Sequence, residues 1–224
     1  MKFSQLIQYM VSIPKSIYFN FVLLPFKTAI RLPFLVSYDV KFLHLKRGCV
    51  LVDNPSTLSV TIGFNGTDAV PSLRSSINIV GGSMLFKGKC HIARGCSIDL
   101  TGGSLVFGNN FSANKNFFVS CTKEIVFGDD NLLGWNVHLF DATGHVMYHN
   151  GDMKESFKRI EVGDHVWLCA ESHLLKGSVI PSGSVVAYGS IVTKKFDNEN
   201  TLYGGFPAKE LQSNIEWGNF KDLI

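Results

Sequence analysis

The stretch from Val162 to Asp197 repeats every six residues, and in blocks of six it reads VGDHVW LCAESH LLKGSV IPSGSV VAYGSI VTKKFD. The first residue of each block is aliphatic: Val162, Leu168, Leu174, Ile180, Val186 and Val192. An α-helix would place residues six apart on different faces, and a simple strand alternates every two residues, so neither explains the small and turn-forming residues in between. A solenoid of short stacked strands and turns explains them, with the aliphatic residues pointing inward.

The same period occurs earlier in the chain, with interruptions. Inward-pointing positions are predicted at Phe86, Ile92 and Ile98, at Phe107, Ala113 and Val119, and at Phe127, Leu133 and Leu139. Between these triplets the register slips at TGGS and around CTKE, which is typical of loops that widen one corner of a coil. The longest interruption is FDATGHVMYHNGD, from Phe140 to Asp152. Because each buried aliphatic side chain contributes about 1.5–3 kcal/mol, we expect the columns to be the main source of stability.

These patterns divide the chain into three parts. Residues 48–203 are predicted to form an all-β solenoid, and residues 204–224 a short C-terminal extension. Residues 1–47 are apolar and aromatic with interspersed basic residues, which indicates a helical or irregular cap over the first open end of the solenoid. An alternative is that residues 1–40 form a basic amphipathic surface that rests on a membrane. Pro25 and Pro33 interrupt a long helix and favour the cap, although the two roles are compatible.

The composition narrows the class of protein. With 46% hydrophobic residues the 224-residue chain can bury a substantial core, and its dispersed net charge of +3 argues against nucleic acid as a partner. The cysteines include no CxxC pair and no Cys/His spacing suited to zinc: Cys49, Cys90, Cys96, Cys121 and Cys169. No apolar window reaches the ~20 residues needed to cross a bilayer. We therefore expect a reduced, cytoplasmic protein without a metal, with the inner face of the membrane as an alternative location.

Three segments carry a family resemblance: FGDDNLLGWNVHLFD, the repeat beginning VGDHVW, and GGFPAKEL. Over roughly Phe86 to Leu211 the chain resembles the hexapeptide-repeat acyltransferases. The resemblance implies a left-handed parallel β-helix, whereas the period alone does not fix the hand, because connections between parallel strands are normally right-handed. Within the family the chain is most similar to sugar O-acetyltransferases, such as the galactoside and maltose enzymes and those that modify capsule, lipopolysaccharide and exopolysaccharide. This implies transfer of an acetyl group from acetyl-CoA to a sugar hydroxyl, in a homotrimer with active sites between subunits.

The resemblance places the catalytic base at His145, in the segment ATGHV. A neutral imidazole suits this role because its pKa lies near cellular pH. Asp141, four residues earlier, could orient the imidazole or could simply cap the turn. The family often has a second acidic residue in this segment, where this sequence has Thr143.

The resemblance also implies residues that contact the acceptor. Asn114 corresponds to an asparagine that contacts the acceptor in the galactoside enzymes, although Asn is also common at left-handed corners. Trp135 and Asn136 lie one repeat before the interruption. Trp135 could stack on a sugar or pack between subunits.

For coenzyme A, the resemblance implies contacts along the last coils, at Trp167, Ala170, Tyr188, Thr193, Lys194 and Lys209. Ala170 and Tyr188 mark backbone contacts to the pantetheine arm, and Trp167 lies near the thioester. Thr193 and Lys194 approach the nucleotide end, where a lysine attracts phosphate. Tyr188 departs from the family pattern, which has a small residue there.

Other interpretations remain open at the level of sequence. Cys169 could act as a nucleophile that forms an acyl-enzyme, but no neighbouring residue in the sequence would activate it. On the same fold the acceptor could be the amine of an amino sugar or the hydroxyl of serine. A non-catalytic solenoid scaffold is a third alternative.

Overall fold

The computed structural model describes residues 3–218 of the chain, and side chains from residue 5 onward. Two helices, α1 Phe3–Leu23 and α2 Phe26–Ala29, precede the strands. Within the described residues the strands are β1 Phe34–Val36, β2 Lys41–Leu43, β3 Val50–Val52, β4 Val60–Ile62, β5 Ser76–Phe86, β6 Cys90–Ile92, β7 Ser97–Phe107, β8 Phe111–Ala113, β9 Phe118–Cys121, β10 Glu124–Phe127, β11 Leu132–Leu133, β12 His138–Phe140, β13 Met147–His149, β14 Asp152–Lys154, β15 Ile160–Val162, β16 Trp167–Leu168, β17 His173–Leu175, β18 Val179–Ile180, β19 Val185–Val186, β20 Ile191–Val192, β21 Leu202–Gly205 and β22 Ala208–Gln212. Short strands separated by short turns therefore account for almost the whole chain after α2.

The strands stack into a helix of coils with three faces. Face 1 contains β1, β4, β6, β8, β11, β16, β19 and β21 in parallel, and ends in the antiparallel strand β22. Face 2 contains β2, the first half of β5 and of β7, then β9, β12, β17 and β20. Face 3 contains β3, the second half of β5 and of β7, then β10, β15 and β18. One pass over the three faces is a coil, and coil 1 begins at β1.

The core lies inside the coils and is built from the residues that the six-residue period predicts. Every one of the fifteen inward-pointing residues named above is at most 1% exposed, which confirms the predicted columns. On face 3 the column is aromatic. The ring centroids of Phe86 and Phe107 lie 4.9 Å apart, and those of Phe107 and Phe127 lie 5.9 Å apart with parallel planes. Each coil therefore stabilises its neighbours through contacts between equivalent side chains.

The first coil begins at Phe34, before the domain boundary expected at residue 47. Strand β1 pairs with β4 and strand β2 pairs with β5, so residues 34–47 already belong to the coil. At the other end, the boundary expected at residue 203 falls within β21. Residues 219–224 of the expected extension and residues 1–2 of the expected cap lie outside the described residues.

Helix α1 lies along the open edge of β1 and supplies the hydrogen bonds that another strand would make. The Asn20 side chain donates to the Phe34 carbonyl at 2.8 Å and accepts from the Phe34 N–H at 3.1 Å. The Ser16 hydroxyl accepts from the Val36 N–H at 2.9 Å. An unpaired edge strand invites pairing with another chain, so the helix blocks this edge. Within residues 3–218, no helix combines the length and apolar character needed to cross a membrane.

The corner between faces 2 and 3, here called the wide corner, is where the repeat loses its period. Strands β5 and β7 bend through it at paired glycines, and coil 4 passes it at residues 122–123. A Cβ on Gly82 would lie 1.8 Å from the Gly103 carbonyl oxygen, so the backbones are too close for a side chain there. Coil 5 leaves the wide corner at Asp141 and returns at Ile160. The slips and the long interruption in the sequence thus fall at one corner of the stack.

Candidate active site

Residues 141–159, here called the arm, form a two-part hairpin that projects from the wide corner of coil 5. At its base, the Thr143 N–H donates to the Ser156 carbonyl and the Lys158 N–H donates to the Asp141 carbonyl, both at 2.8 Å. At its tip, β13 pairs with β14 in antiparallel fashion. The turn between them is Asn150-Gly151, both in the left-handed region, which is the preferred chemistry of a two-residue hairpin. The arm is therefore an ordered projection from the coil.

His145 lies at the bend between the two parts of the arm. Gly144, with φ +72°, lets the chain change direction there. The Thr143 hydroxyl donates to the His145 carbonyl at 2.8 Å and so fixes the backbone next to the bend. Thr143 is the residue that stands where the family often has an acid, and its observed role is to hold this bend. The His145 side chain is left exposed.

An open cleft of about 510 Å³ lies between the arm and the body of the coil. Thr101, Ser120 and Thr122 line it with hydroxyl groups, and Phe140 and Phe157 add aromatic surface. The hydroxyls of Thr101 and Thr122 lie 3.0 Å apart. His145 borders the same cleft. An imidazole beside a row of hydroxyls can exchange protons and hydrogen bonds with a polyhydroxylated ligand.

The sequence patterns do not indicate that Thr101, Ser120 and Thr122 line a common cleft. Thr101 and Thr122 lie in the two register slips, TGGS and CTKE, and Ser120 alternates with inward-pointing residues on face 2. The signal that could have found them is the position of these polar residues at the same corner as the long interruption. That correspondence depends on which residues of successive coils stack on one another, which the period alone does not give.

Asp141 is fully buried at the root of the arm and binds the preceding coil. Its carboxylate accepts hydrogen bonds from the backbone N–H groups of Thr122, Lys123 and Glu124, at 2.8, 2.7 and 2.9 Å. The Cys121 thiol lies 3.5 Å from the same carboxylate. Burial, and next the Asp141 charge, raise the pKa of that thiol. These contacts favour the turn-capping alternative for Asp141 over the role of a direct partner for His145, because the carboxylate oxygens are taken up by the backbone of coil 4.

The residues expected to contact the acceptor lie at the opposite edge of face 2, the corner between faces 1 and 2, here called the regular corner. The Asn114 side-chain oxygen accepts from the Thr67 N–H at 2.9 Å, so this amide already holds a loop of coil 2. Asn136 donates to Glu171 at 2.7 Å and accepts from Asn116 at 2.9 Å. None of Asn114, Trp135 and Asn136 lines the cleft beside His145.

The residues expected to contact coenzyme A occupy several places along the last coils. Ala170 and Tyr188 follow face 1 at the regular corner; Ala170 is buried, whereas the Tyr188 side chain is 66% exposed. Trp167 lies on face 1, with its ring centroid 5.9 Å from that of Trp217. Lys209 lies on β22 and is exposed.

Thr193 and Lys194 follow β20 and lie at the wide corner, two coils beyond the arm. Both side chains are exposed, and the Lys194 Nζ lies 5.4 Å from the ring centroid of Phe196. Of the residues expected to bind coenzyme A, these two share a corner with His145. Within one chain, the residues expected to contact coenzyme A and the acceptor are therefore spread over both edges of face 2 and over face 1.

Cys169 is half-buried at the regular corner. Burial raises the pKa of its thiol to about 11, which disfavours the thiolate that a nucleophile requires. The interpretation of Cys169 as the site of an acyl-enzyme therefore has no support in its surroundings.

Comparison with solved structures shows which known fold this architecture shares. The structure of the polySia specific acetyltransferase NeuO matches the chain with a TM-score of 0.52 and 22% identity, covering 83% of this chain and 89% of that one. The fold is that of the hexapeptide-repeat acetyltransferases. The left-handed parallel β-helix predicted from the resemblance is thereby confirmed for this hexapeptide-repeat chain.

Sequence comparisons find relatives that are named as acetyltransferases. "Putative acetyltransferase C18B11.09c" of Schizosaccharomyces pombe is 36% identical over 117 residues, which are 50% of this chain and 54% of that protein. "Putative lipopolysaccharide biosynthesis O-acetyl transferase WbbJ" of Escherichia coli is 26% identical over 126 residues, which are 51% of this chain and 64% of that protein. The hexapeptide-repeat chain thus spans less than two thirds of the length of these relatives. No protein-family model matches it.

Proposed function

We propose that the protein transfers an acetyl group from acetyl-CoA to a hydroxyl of a sugar, with His145 as the general base. The observation that carries the proposal is the position of His145, exposed on an ordered arm beside a cleft lined with hydroxyl groups. The similarity to proteins named as acetyltransferases supports the reaction class.

In the proposed reaction His145 moves one proton twice. Its neutral imidazole removes the proton from the acceptor hydroxyl as that oxygen attacks the thioester carbonyl carbon. The tetrahedral intermediate then breaks its C–S bond, and the imidazolium returns the proton to the departing thiolate. The proton balance closes without a covalent enzyme intermediate, in keeping with the raised pKa of the Cys169 thiol.

The acceptor is proposed to be a glycan of the cell surface or its precursor. The hydroxyls of Thr101, Ser120 and Thr122 offer hydrogen bonds to sugar hydroxyls, and the Phe140 ring offers an apolar surface for a sugar face. WbbJ is named for lipopolysaccharide biosynthesis and NeuO for polysialic acid, and these names favour a surface polysaccharide as the acceptor. Use of acetyl-CoA assigns the reaction to the cytoplasm.

A homotrimer would complete the site. The tip of the arm exposes Val146, Met147, Tyr148 and Met153, each 56–69% exposed, and an apolar projection of this kind fits against a neighbouring subunit. In that arrangement His145 of one subunit would face the regular corner of the next, with its Ala170 and Tyr188. The two residues expected to contact the pantetheine arm would then lie beside His145 of the neighbouring subunit.

The test is acetyl transfer by His145→Ala and by a matched variant, His149→Ala. Both histidines are exposed on the arm, but His149 lies at the tip in β13, outside the set of residues that line the cleft. Because a general base contributes roughly 10²- to 10⁴-fold, we expect kcat for His145→Ala to fall at least 100-fold and His149→Ala to stay near wild type. Mass spectrometry of products from acetyl-CoA and a panel of free, nucleotide-linked and lipid-linked sugars measures transfer.

Coenzyme A binding, measured by calorimetry, should be unchanged in both variants. Turnover by His145→Ala at the wild-type rate would overturn the assignment of the base. A wild-type protein that binds no coenzyme A would revive the scaffold alternative, and products acetylated on an amine would replace O-transfer by N-transfer.

A further inference from the structure

Helix α1 turns its polar side toward the protein and its apolar side outward. Gln8, Ser12, Ser16 and Asn20, which recur every four residues, are all buried. They bind the edge of face 1, as described for Ser16 and Asn20, and the Ser12 hydroxyl accepts from the Tyr38 N–H at 3.0 Å. Phe19 and Leu23 are buried as well, but most apolar residues of α1 face outward, whereas an ordinary surface helix buries its apolar stripe and solvates its polar one. Hydrogen bonds to an open strand edge use the polar side, and most of the apolar side stays exposed within the described residues.

The exposed side of α1 is apolar along its whole described length. Its members, here called the outer face, are 41–62% exposed: Leu6, Ile7, Met10, Val11, Ile13, Ile17, Tyr18, Phe21 and Val22. The charged residue of this segment, Lys15, donates to the carbonyls of Tyr38 and Val40 on the inner side. The outer face continues through Phe26 on α2 and Ile30 directly after it, which are 66% and 56% exposed. A contiguous apolar surface of this length marks an interaction site.

Charge distinguishes this end of the molecule from the rest. Residues 1–52 contain seven Lys or Arg and one Asp, a formal charge of +6, whereas the remaining residues carry −3. Lys27 and Arg31 are exposed next to Phe26 and Ile30, and Lys46 and Arg47 are exposed in coil 1. Residues 1–38 contain no Asp or Glu. The outer face is therefore flanked by basic groups without acidic neighbours in that segment.

We infer that the outer face of α1 and α2 binds an anionic phospholipid surface, with the helices lying in the plane of the interface. An interfacial helix inserts its apolar side into the boundary between headgroups and acyl chains, and basic residues at its edge attract anionic headgroups. Tyr18 is of a type enriched at that boundary, and Phe21 and Phe26 are of a type found on the inserted side of such helices.

A second copy of the chain fits the outer face less well. Protein interfaces combine an apolar centre with about one hydrogen bond per 100–200 Å² and a polar rim. Between Leu6 and Val22, the described outer face offers a single polar side-chain group, the hydroxyl of Tyr18. A second copy would also present the same basic residues, Lys27 and Arg31, whereas an anionic surface complements them.

Co-sedimentation of the full chain with vesicles tests the inference. The probes are vesicles of phosphatidylcholine alone and of phosphatidylcholine mixed equally with phosphatidylglycerol. We expect wild-type protein to sediment with the mixed vesicles. For Met10→Glu/Ile17→Glu, we expect the partition coefficient to fall about 100-fold, because each charge placed in the interface costs about tenfold. Both positions are exposed, so the fold should tolerate the change.

The matched control is Leu73→Glu/Val80→Glu. These residues are 68% and 53% exposed on the coil, so the control adds the same charge away from the outer face and should bind like wild type. Lys27→Ala/Arg31→Ala should weaken binding to the mixed vesicles by about tenfold or more, and should leave binding to phosphatidylcholine unchanged.

Two results would overturn the inference. One is wild-type protein that stays in the supernatant with the mixed vesicles. The other is a change of oligomeric state for Met10→Glu/Ile17→Glu in lipid-free size-exclusion chromatography, which would assign the outer face to a second copy. Acetyl transfer to a soluble acceptor should be equal in wild type and all three variants. The vesicle experiment therefore tests membrane binding independently of the proposed catalytic function.

Discussion

The two corners that border face 2 are built in opposite ways. At the regular corner, Asn116, Asn136 and Glu171 repeat in successive coils, all with φ near +60°, and their side chains form a ladder of hydrogen bonds. At the wide corner the coils pass with paired glycines, then with a short turn, and finally with the arm. From coil 3 to coil 6 the period of the sequence survives at the regular corner, whereas coil 2 has an insertion there, residues 63–75. At the wide corner the period fails in coils 2–5 and is kept in coil 6, where Leu174 and Ile180 are six apart. A regular corner keeps the coils in register, and an irregular one leaves room for a projecting group.

The largest effect is expected at the root of the arm, from Asp141→Ala. The substitution leaves the N–H groups of Thr122, Lys123 and Glu124 without their buried acceptor. Hydrogen bonds to a charged group contribute about 1.5–3 kcal/mol each, so we expect the loss of three to lower the free energy of unfolding by about 4.5 kcal/mol or more. Urea denaturation measures it. Asp141→Asn, which keeps one acceptor oxygen, should lose about half as much.

The same variant separates the two roles of Asp141. If Asp141→Ala unfolded at the wild-type urea concentration and lost transfer as completely as His145→Ala, the carboxylate would be a partner of the base after all, and the turn-capping role would be wrong.

A smaller loss is expected from Gly82→Ala at the wide corner of coil 2. The new Cβ would lie 1.8 Å from the Gly103 carbonyl oxygen, at a φ of +85°. Left-handed strain and the forced backbone shift together predict a loss of about 3 kcal/mol, read from thermal or urea unfolding. Gly144→Ala is the control, because its φ is +72° but a Cβ there meets nothing within 4 Å. Equal losses for the two variants would show that close packing of the coils does not limit this corner.

The smallest effect is expected at the regular corner, from Asn136→Ala. The change removes two side-chain hydrogen bonds of one ladder and puts Ala at a φ of +55°. We expect a loss of about 1–2 kcal/mol in the free energy of unfolding and no change in kcat. Asn136→Gly removes the hydrogen bonds and relieves the backbone, so the difference between the two variants measures the backbone cost. A fall in kcat larger than tenfold would instead give Asn136 a role with the acceptor.

The parts of the fold that could be predicted are those fixed by burial. Leu168 and Val186 point inward because a six-residue step returns the chain to the inside of each face, and apolar residues mark those positions. The first coil escaped prediction because Phe34, Val36 and Val50 are buried without that spacing. A strand edge covered by a helix also has no periodic signature.

The candidate site was predictable in place but not in detail. The resemblance proposed His145, and the break in the period marks the same segment, since a projecting arm must leave the register. Asp141 looked like a partner for His145 because it lies four residues away, yet its hydrogen bonds reach Thr122 to Glu124 in the previous coil. Contacts between coils join residues about 20 positions apart, and the local spacing of a sequence does not report them.

The number of coils also sets the distance between helix α1 and the arm along the axis of the stack. Helix α1 lies against coil 1 and the arm leaves coil 5, so four steps of about 4.8 Å place the arm roughly 20 Å along the stack from the helix end. With the outer face on a lipid surface, His145 would reach sugars at that elevation and pass over those nearer the headgroups. Insertion of one coil between them would raise the arm by about 5 Å with the chemistry of the cleft unchanged.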